Sequence, residues 1–352
     1  MKNVPIDKSK MRTPVNKLHP TIALVGCGAI AEKFYLPVLK KDAAVMEHLI
    51  LVDNNINRAK KMSEQFHVES CVSDYREVIH AVDGVIIAVP HHLHFSTAKA
   101  FLSTKVHVLC EKPVAETAAE VKELARLAEE NGVTISANNT RRLVPNCIEV
   151  KKLIDEGEIG DLRVITYLEG GEFDWPTASG FYFNSDLSHK GVLLDVGAHA
   201  FDVICQWVGG RPRLISSEND SFGGREAVAS VTLEYKKCRC IVRLSWLGKL
   251  PNSFRIVGDK GTIEGPIYDW RSFTITSSSG RKQKVRTDTG THSPFFHERP
   301  VTNFIDVLRK KDTPLIPASA VIESIELIEE AYKSARRFSM PWYEAQETQD
   351  AD

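Results

Sequence analysis

The stretch Thr21-Ile22-Ala23-Leu24-Val25-Gly26-Cys27-Gly28-Ala29-Ile30-Ala31 decides how the first half of the chain is read. It is a short apolar run cut off by glycines, as expected of a strand buried on both faces in a parallel sheet. The glycines form a GxGxxA loop placed directly after that strand and before a helix. Gly26 suits a tight turn, Gly28 lets the backbone approach a pyrophosphate, and the small Ala31 permits close helix packing, with helix N–H groups facing the phosphate charge. The next apolar run, His48 to Asp53, ends in an acid about 20 residues on, where this fingerprint expects a carboxylate to hold a ribose hydroxyl pair. Asp53 would repel a 2′-phosphate, so NAD is the expected cofactor, with NADP as the alternative because Arg58 follows closely.

Working outward, Gly84 to Val89, His107 to Cys110 and Thr134 to Ala137 are further strand-like runs separated by helix-like sequence. This is a doubly wound α/β pattern with a parallel sheet. The clearest helix begins at the capping box Thr117-Ala118-Ala119-Glu120 and stops near Gly132. Pro37 falls inside the helix expected after the glycine loop, which predicts a kink or an early break there. Beyond about residue 140 the pattern changes. Val228 to Tyr235 with Cys238 to Trp246, and Phe254 to Val257 with Thr262 to Glu264, read as two antiparallel hairpins. Helices are expected at Pro145 to Glu156, Asp195 to Val208 and Val321 to Arg336, giving an α+β domain with helices on one face of a sheet. The division is a polar lead at 1–18, a dinucleotide-binding domain at 19–140 and a second domain at 141–352.

The composition fits a soluble enzyme. Of 352 residues, 43% are apolar and 26% charged, too apolar for a disordered chain and long enough for two domains. Forty-five Lys and Arg against 46 Asp and Glu give a formal charge of −1. No bulk basic field is present to hold nucleic acid or an anionic membrane, so the expected partner is a small molecule. Seven scattered cysteines without a CxxC pair argue for reduced thiols in the cytoplasm rather than a disulfide framework or a zinc site. No apolar run reaches signal-peptide or membrane-spanning length.

Three further motifs carry chemistry. In Cys110-Glu111-Lys112-Pro113, the lysine follows a parallel strand and opens into the crevice at its carboxyl end; taken alone it would read as a surface lysine. In Gly191 to Asp202, residues Asp195, His199 and Asp202 recur at helical spacing and Gln206 continues the row, with Phe201, Ile204, Cys205 and Val208 on the core side. Such a stripe is either a solvated face or an Asp orienting a His as general base one turn on. His91-His92-Leu93-His94 looks metal-like, but nothing else has matching ligand spacing, so no metal is expected and His94 is read as lining the nicotinamide cleft. Ala29, Ile30, Val89, Pro90, Glu111 and Lys112 complete the expected cofactor contacts. Arg142, Trp175 and Tyr182 are candidate substrate contacts, since an aromatic face stacks on a sugar ring and Arg reaches a carboxylate or phosphate. His292 and His297 are read as loop residues.

Taken in order, Gly26 to Ala31, Asp53, Glu111 to Pro113 and Gly191 to Asp202 resemble the Gfo/Idh/MocA family of NAD(P)-dependent oxidoreductases. The resemblance extends through Asn139 to Pro145, Gly157 to Gly160, Gly258 to Gly261 and Ala331 to Arg336, and departs at Lys190, where family members often carry glycine. It implies an N-terminal Rossmann domain and a C-terminal α+β domain on a large open, mostly antiparallel sheet used for homodimer or homotetramer formation. The implied activity is hydride transfer at a hydroxyl-bearing carbon of a sugar, sugar derivative or cyclitol. Lys112, Asp195 and His199 match the family's catalytic Lys, Asp and His. An imidazole titrating near neutral pH suits His199 as base, and Lys112 suits stabilisation of charge on the reacting oxygen. A glycoside hydrolase using transient oxidation and a non-catalytic NAD-binding protein are the competing readings.

Overall fold

The computed structural model describes residues 19–177, 180, 190–221, 224–269, 271–287 and 298–339. The chain divides into two compact units.

The first unit is built on strands β1 (Ile22–Val25), β2 (Leu49–Val52), β3 (Ser70–Val72), β4 (Gly84–Ile87), β5 (His107–Cys110) and β6 (Ile135–Ala137). They form a six-stranded sheet in the order β3-β2-β1-β4-β5-β6, parallel throughout. Five of these strands follow from the apolar runs. The three-residue edge strand β3 is only partly buried and too short to show a period. Helices α1 (Leu36–Leu39), α2 (Ala43–Glu47), α3 (Ile56–Phe66), α4 (His94–Ser103) and α5 (Ala118–Glu130) fill the connections. The capping box at Thr117 and Glu120 starts α5. Pro37 does not break the helix after the glycine loop: residues 29–39 stay helical, and the irregularity is the π turn Ala31–Tyr35 directly before Leu36–Leu39.

In the second unit, α6 (Pro145–Asp155), β7 (Leu162–Gly170), α7 (Val192–Asp195) and α8 (Gly197–Val208) precede strands β8 (Arg213–Asn219), β9 (Val228–Tyr235), β10 (Cys238–Ser245), β11 (Ser253–Gly258), β12 (Gly261–Pro266), β13 (Ser272–Ser277) and β14 (Lys282–Arg286). Helices α9 (Glu298–Leu308) and α10 (Ile322–Lys333) and the short β15 (Arg336–Arg337) follow. The nine-stranded sheet runs β14-β13-β12-β11-β7-β10-β9-β8-β15. Its pairs are antiparallel except β7 with β10 and β8 with β15. One face is apolar and buried, with Ala229, Val231 and Leu233 of β9, Cys240, Val242 and Leu244 of β10, and Phe254 and Ile256 of β11. Trp207 of α8 packs on Phe254 with ring centroids 5.0 Å apart. Arg239, Arg243 and Arg255 stand exposed on the same strands, the alternation of a sheet with one covered face.

The division is not the continuous one expected from the sequence. Residues of α9 belong to the first unit: Val301, Phe304, Ile305 and Leu308 join the core formed by Ile22, Leu24, Leu36, Leu51 and Ile86. A Cβ on Gly84 would lie 2.8 Å from Leu308, so this glycine admits the helix onto the start of β4. The amide of Ala137 also donates to the carbonyl of Ile316 at 2.8 Å.

Candidate active site

The two glycines of the loop do different work. Gly26 has φ +102°, and a Cβ there would lie 2.4 Å from the carbonyl oxygen of Ala88, so the fold itself demands glycine. A Cβ on Gly28 would meet nothing within 4 Å, which is the open space a pyrophosphate needs beside the backbone. Ala29 and Ile30 follow half-buried at the start of the helix, and Val89 and Pro90 are half-buried after β4. Asp53 is bound to this loop directly, its Oδ2 accepting from the Cys27 amide at 2.9 Å. Its Oδ1 accepts from Asn55 N–H at 2.8 Å and from Arg58 Nη2 and Nε at 2.8 and 3.1 Å. Burial, followed by the charge of Asp53, pushes the Cys27 thiol up to about 12.

Lys112 leaves the carboxyl end of β5 half-buried, and its main chain is gripped from both sides. Glu111 is buried, and its Oε2 accepts from the Lys112 amide at 3.1 Å. Its Oε1 accepts from the Tyr35 hydroxyl and from Asn138 Nδ2, each at 2.7 Å. His94, expected to line the cofactor cleft, is instead fully enclosed. Its Nδ1 lies 2.6 Å from the carbonyl oxygen of Pro113 and its Nε2 2.8 Å from that of Val89. Both ring nitrogens are thus committed to backbone, and His94 ties the loop after β4 to the loop after β5. Burial holds its pKa below the ordinary imidazole value, opposed by the two carbonyls and the charge of Glu111.

In the second unit, Asp195 ends α7 and His199 lies in the first turn of α8, both half-buried. The expected single helix is interrupted at Val196, although the His199 and Ala200 amides both reach its carbonyl. The row does not continue as a solvated stripe: Asp202 is 1% exposed, and α8 is buried on most of its circumference. What anchors these residues was not visible in the motif. Glu226, itself buried, accepts from the Gly191 amide at 3.0 and 3.1 Å, from the Leu193 amide at 2.9 Å and from the Tyr332 hydroxyl at 2.6 Å. A Cβ on Gly191 would lie 1.9 Å from the Glu226 carbonyl oxygen. Burial pushes the Glu226 carboxyl upward, against the pull of those donors. Lys190, where the family resemblance lapses, lies with its ammonium 5.9 Å from the centre of the Tyr332 ring, a cation–π arrangement.

Of the candidate substrate contacts, Arg142 donates from Nη2 to the carbonyl of Ala320 at 2.5 Å. Trp175 stacks on Phe34 at 6.3 Å with rings 9° from parallel, and Lys33 Nζ sits 4.9 Å from its ring centre; both partners follow the glycine loop. Tyr182, His292 and His297 lie outside the described residues. Among the described residues, the group with metal-ligand spacing is His19, Glu47 and His48 at the surface, not the run from His91 to His94. No helix among the described residues is long and apolar enough to cross a membrane. Tyr35, Asn138 and Glu226 are not legible in the sequence, because a single polar residue in an apolar or loop context carries no periodic signal.

Two family profiles match the chain: the NAD-binding Rossmann-fold oxidoreductase family GFO/IDH/MocA over residues 21–139, and the GFO/IDH/MocA C-terminal domain over residues 147–264. The chain is 26% identical over 228 residues to the NADP-dependent scyllo-inositol 2-dehydrogenase of Bacillus subtilis, an alignment covering 63% of this chain and 61% of that protein. It is 25% identical over 329 residues to the trans-1,2-dihydrobenzene-1,2-diol dehydrogenase of Mus musculus, covering 88% of this chain and 95% of the relative. Among solved structures, the aldose-aldose oxidoreductase of Caulobacter crescentus matches with a TM-score of 0.77 at 19% identity, over 90% of this chain and 97% of that one.

Proposed function

Because the chain belongs to the Gfo/Idh/MocA family of NAD(P)-dependent oxidoreductases, we propose that it is a dehydrogenase. It moves a hydride between a nicotinamide dinucleotide and a hydroxyl-bearing carbon of a sugar, sugar derivative or cyclitol. The observation that carries the cofactor half of this reading is the loop from Gly26 to Ala31, open beside Gly28 and bonded to Asp53. The bound nicotinamide supplies the carbon that accepts the hydride.

The chain's own residues handle the proton and the developing charge. A hydride leaves a carbinol carbon only as the hydroxyl proton is withdrawn, so a base must stand at that oxygen. His199 is assigned as that base, Asp195 as the group that orients it or a substrate hydroxyl, and Lys112 as the donor that stabilises charge on the oxygen. The relatives' names include an inositol and a dihydrodiol, so ring compounds with neighbouring hydroxyls are the first to try. Self-association through the uncovered face of the nine-stranded sheet, and residence in the cytoplasm with its thiols reduced, belong to the same proposal.

The test is a screen of free and nucleotide-linked sugars and inositols for NADH or NADPH formation. Turnover of one class above the rest supports the reading. Dinucleotide binding without turnover of any of them would favour a non-catalytic binder, and glycosidic cleavage without net NADH would favour a hydrolase.

A further inference from the structure

The helix irregularity just before Pro37 leads to a residue with no assigned role. The π turn Ala31–Tyr35 starts where the glycine loop ends and finishes on Tyr35, whose side chain is fully buried. A tyrosine there is not explained by packing, since phenylalanine fills the same space without a hydroxyl to satisfy. The hydroxyl is committed instead: it donates to Glu111 Oε1 at 2.7 Å and accepts from Asn138 Nδ2 at 2.7 Å. Asn138 donates to the same carboxylate oxygen at 2.7 Å, and its amide is tied to the Cys110 carbonyl at 2.8 Å. The other oxygen of Glu111 holds the Lys112 amide.

We propose that Tyr35 is a positioning residue for Lys112, acting through Glu111, so that the helix leaving the dinucleotide loop also sets the main chain of the lysine. The physical reason lies in the carboxylate. A buried charge is tolerated only with its donors in place, and losing one costs more than the bond itself. The Glu111 side chain therefore has one favourable position, fixed by donors from the π turn and from the end of β6. The Lys112 amide is located by that position, while His94 holds the neighbouring Pro113 carbonyl from the other side. Burial, then the charge of Glu111, raises the Tyr35 phenol well above its ordinary pKa, so it remains a donor across the working pH range. An apolar trio would be cheaper to bury; what the polar one adds is a fixed location.

The inference rests on the assignment of Lys112 as a catalytic group, and its test separates the two. Hydrogen exchange of the Lys112 amide in the free protein needs no substrate. In Tyr35→Phe we expect that amide to exchange about tenfold faster or more, since a bond of about 1.4 kcal/mol is worth that factor, while the amides of β1 keep their rates. Unchanged exchange at Lys112, or equal acceleration in β1, overturns the proposal. Asn138→Ala strips a donor from the same carboxylate and is expected to loosen the same amide should Tyr35→Phe fold poorly. With whichever polyol the screen identifies, Tyr35→Phe is expected to lower kcat about tenfold with an unchanged KM for the dinucleotide, and to cause no further loss in a Lys112→Ala background. An equal further loss in that background means that Tyr35 does not act through the lysine. If Lys112→Ala itself turns over normally, the catalytic assignment fails, and the exchange experiment still decides whether Tyr35 holds the loop.

Discussion

Arg58 holds one oxygen of Asp53 by two hydrogen bonds, at 2.8 and 3.1 Å, while the other oxygen belongs to the Cys27 amide. Ribose hydroxyls must therefore compete with the guanidinium for Oδ1. Once displaced, Arg58 becomes a cation beside the ribose, where a 2′-phosphate would need one. NAD is expected to bind more tightly than NADP in the wild type. Asp53→Ser should weaken NAD by about tenfold or more, roughly 1.4 kcal/mol, and Arg58→Ala should weaken NADP more than NAD. Calorimetric titration of both dinucleotides checks this; an unaltered ratio in both variants removes the pair from cofactor selection.

Gly26 and Gly28 offer a sharper separation. Gly26→Ala places a Cβ against the Ala88 carbonyl at a φ of +102° and should cost several kcal/mol, on the order of 2–4. Gly28→Ala meets open space, so stability should move by no more than about 1 kcal/mol while dinucleotide affinity collapses. Thermal melting with and without NAD distinguishes them. A Gly28→Ala protein that still gains stability from NAD as the wild type does would show that the pyrophosphate lies elsewhere.

For Lys112, the contact proposed is made mainly in the transition state. Lys112→Ala should cut turnover by about 100-fold or more with NAD affinity nearly unchanged. Lys112→Arg should rescue poorly, because a planar fork cannot place a single donor where the ammonium sat. Steady-state rates beside binding isotherms read this out, and near-normal turnover of the alanine variant returns Lys112 to the reading of a surface lysine.

The enclosed imidazole of His94 gives a stability prediction with a definite sign. Burial lowers its pKa in the folded protein, and that of His107 in the same way. The unfolded chain takes up these protons first, so stability is present above the unfolded value of about 6.5 and is lost as pH falls from there towards the folded value. Melting temperature should drop between about pH 7 and pH 5, and His94→Asn, which keeps a donor but does not titrate, should flatten part of that slope. Identical slopes for variant and wild type would show that His94 is not titrating in this window.

Tyr332 should behave as a support for α7, the short helix that ends on Asp195. Tyr332→Phe removes the 2.6 Å donor to Glu226 from a buried carboxylate, at a cost of about 1–3 kcal/mol. Denaturant unfolding measures it, and a loss within experimental error would mean that the amides of Gly191 and Leu193 suffice.

Much of this was legible in the chain because period and punctuation agree in the first unit: apolar runs give β1, β2, β4, β5 and β6, the Thr117 box starts α5, and Asp53 falls where the glycine loop requires it. Three kinds of feature were hidden. Edge strand β3 is too short for a pattern. His94 reads as a cleft residue because sequence cannot say that both of its nitrogens end on carbonyls. Tyr35 and Glu111 are 76 residues apart, as Gly191 and Glu226 are 35 apart, and such pairings exist only after the strands have been laid side by side.

The packing of α9 also bears on how the protein is made. Val301, Phe304, Ile305 and Leu308 complete the core around β1 and β4, yet the ribosome adds them after every strand from β7 to β14. At about 5–20 residues per second, the nascent dinucleotide-binding unit waits roughly ten seconds or more with that apolar surface uncovered. During synthesis the order of completion is thus reversed, with eight of the nine strands of the later unit's sheet emerging before the earlier unit can close.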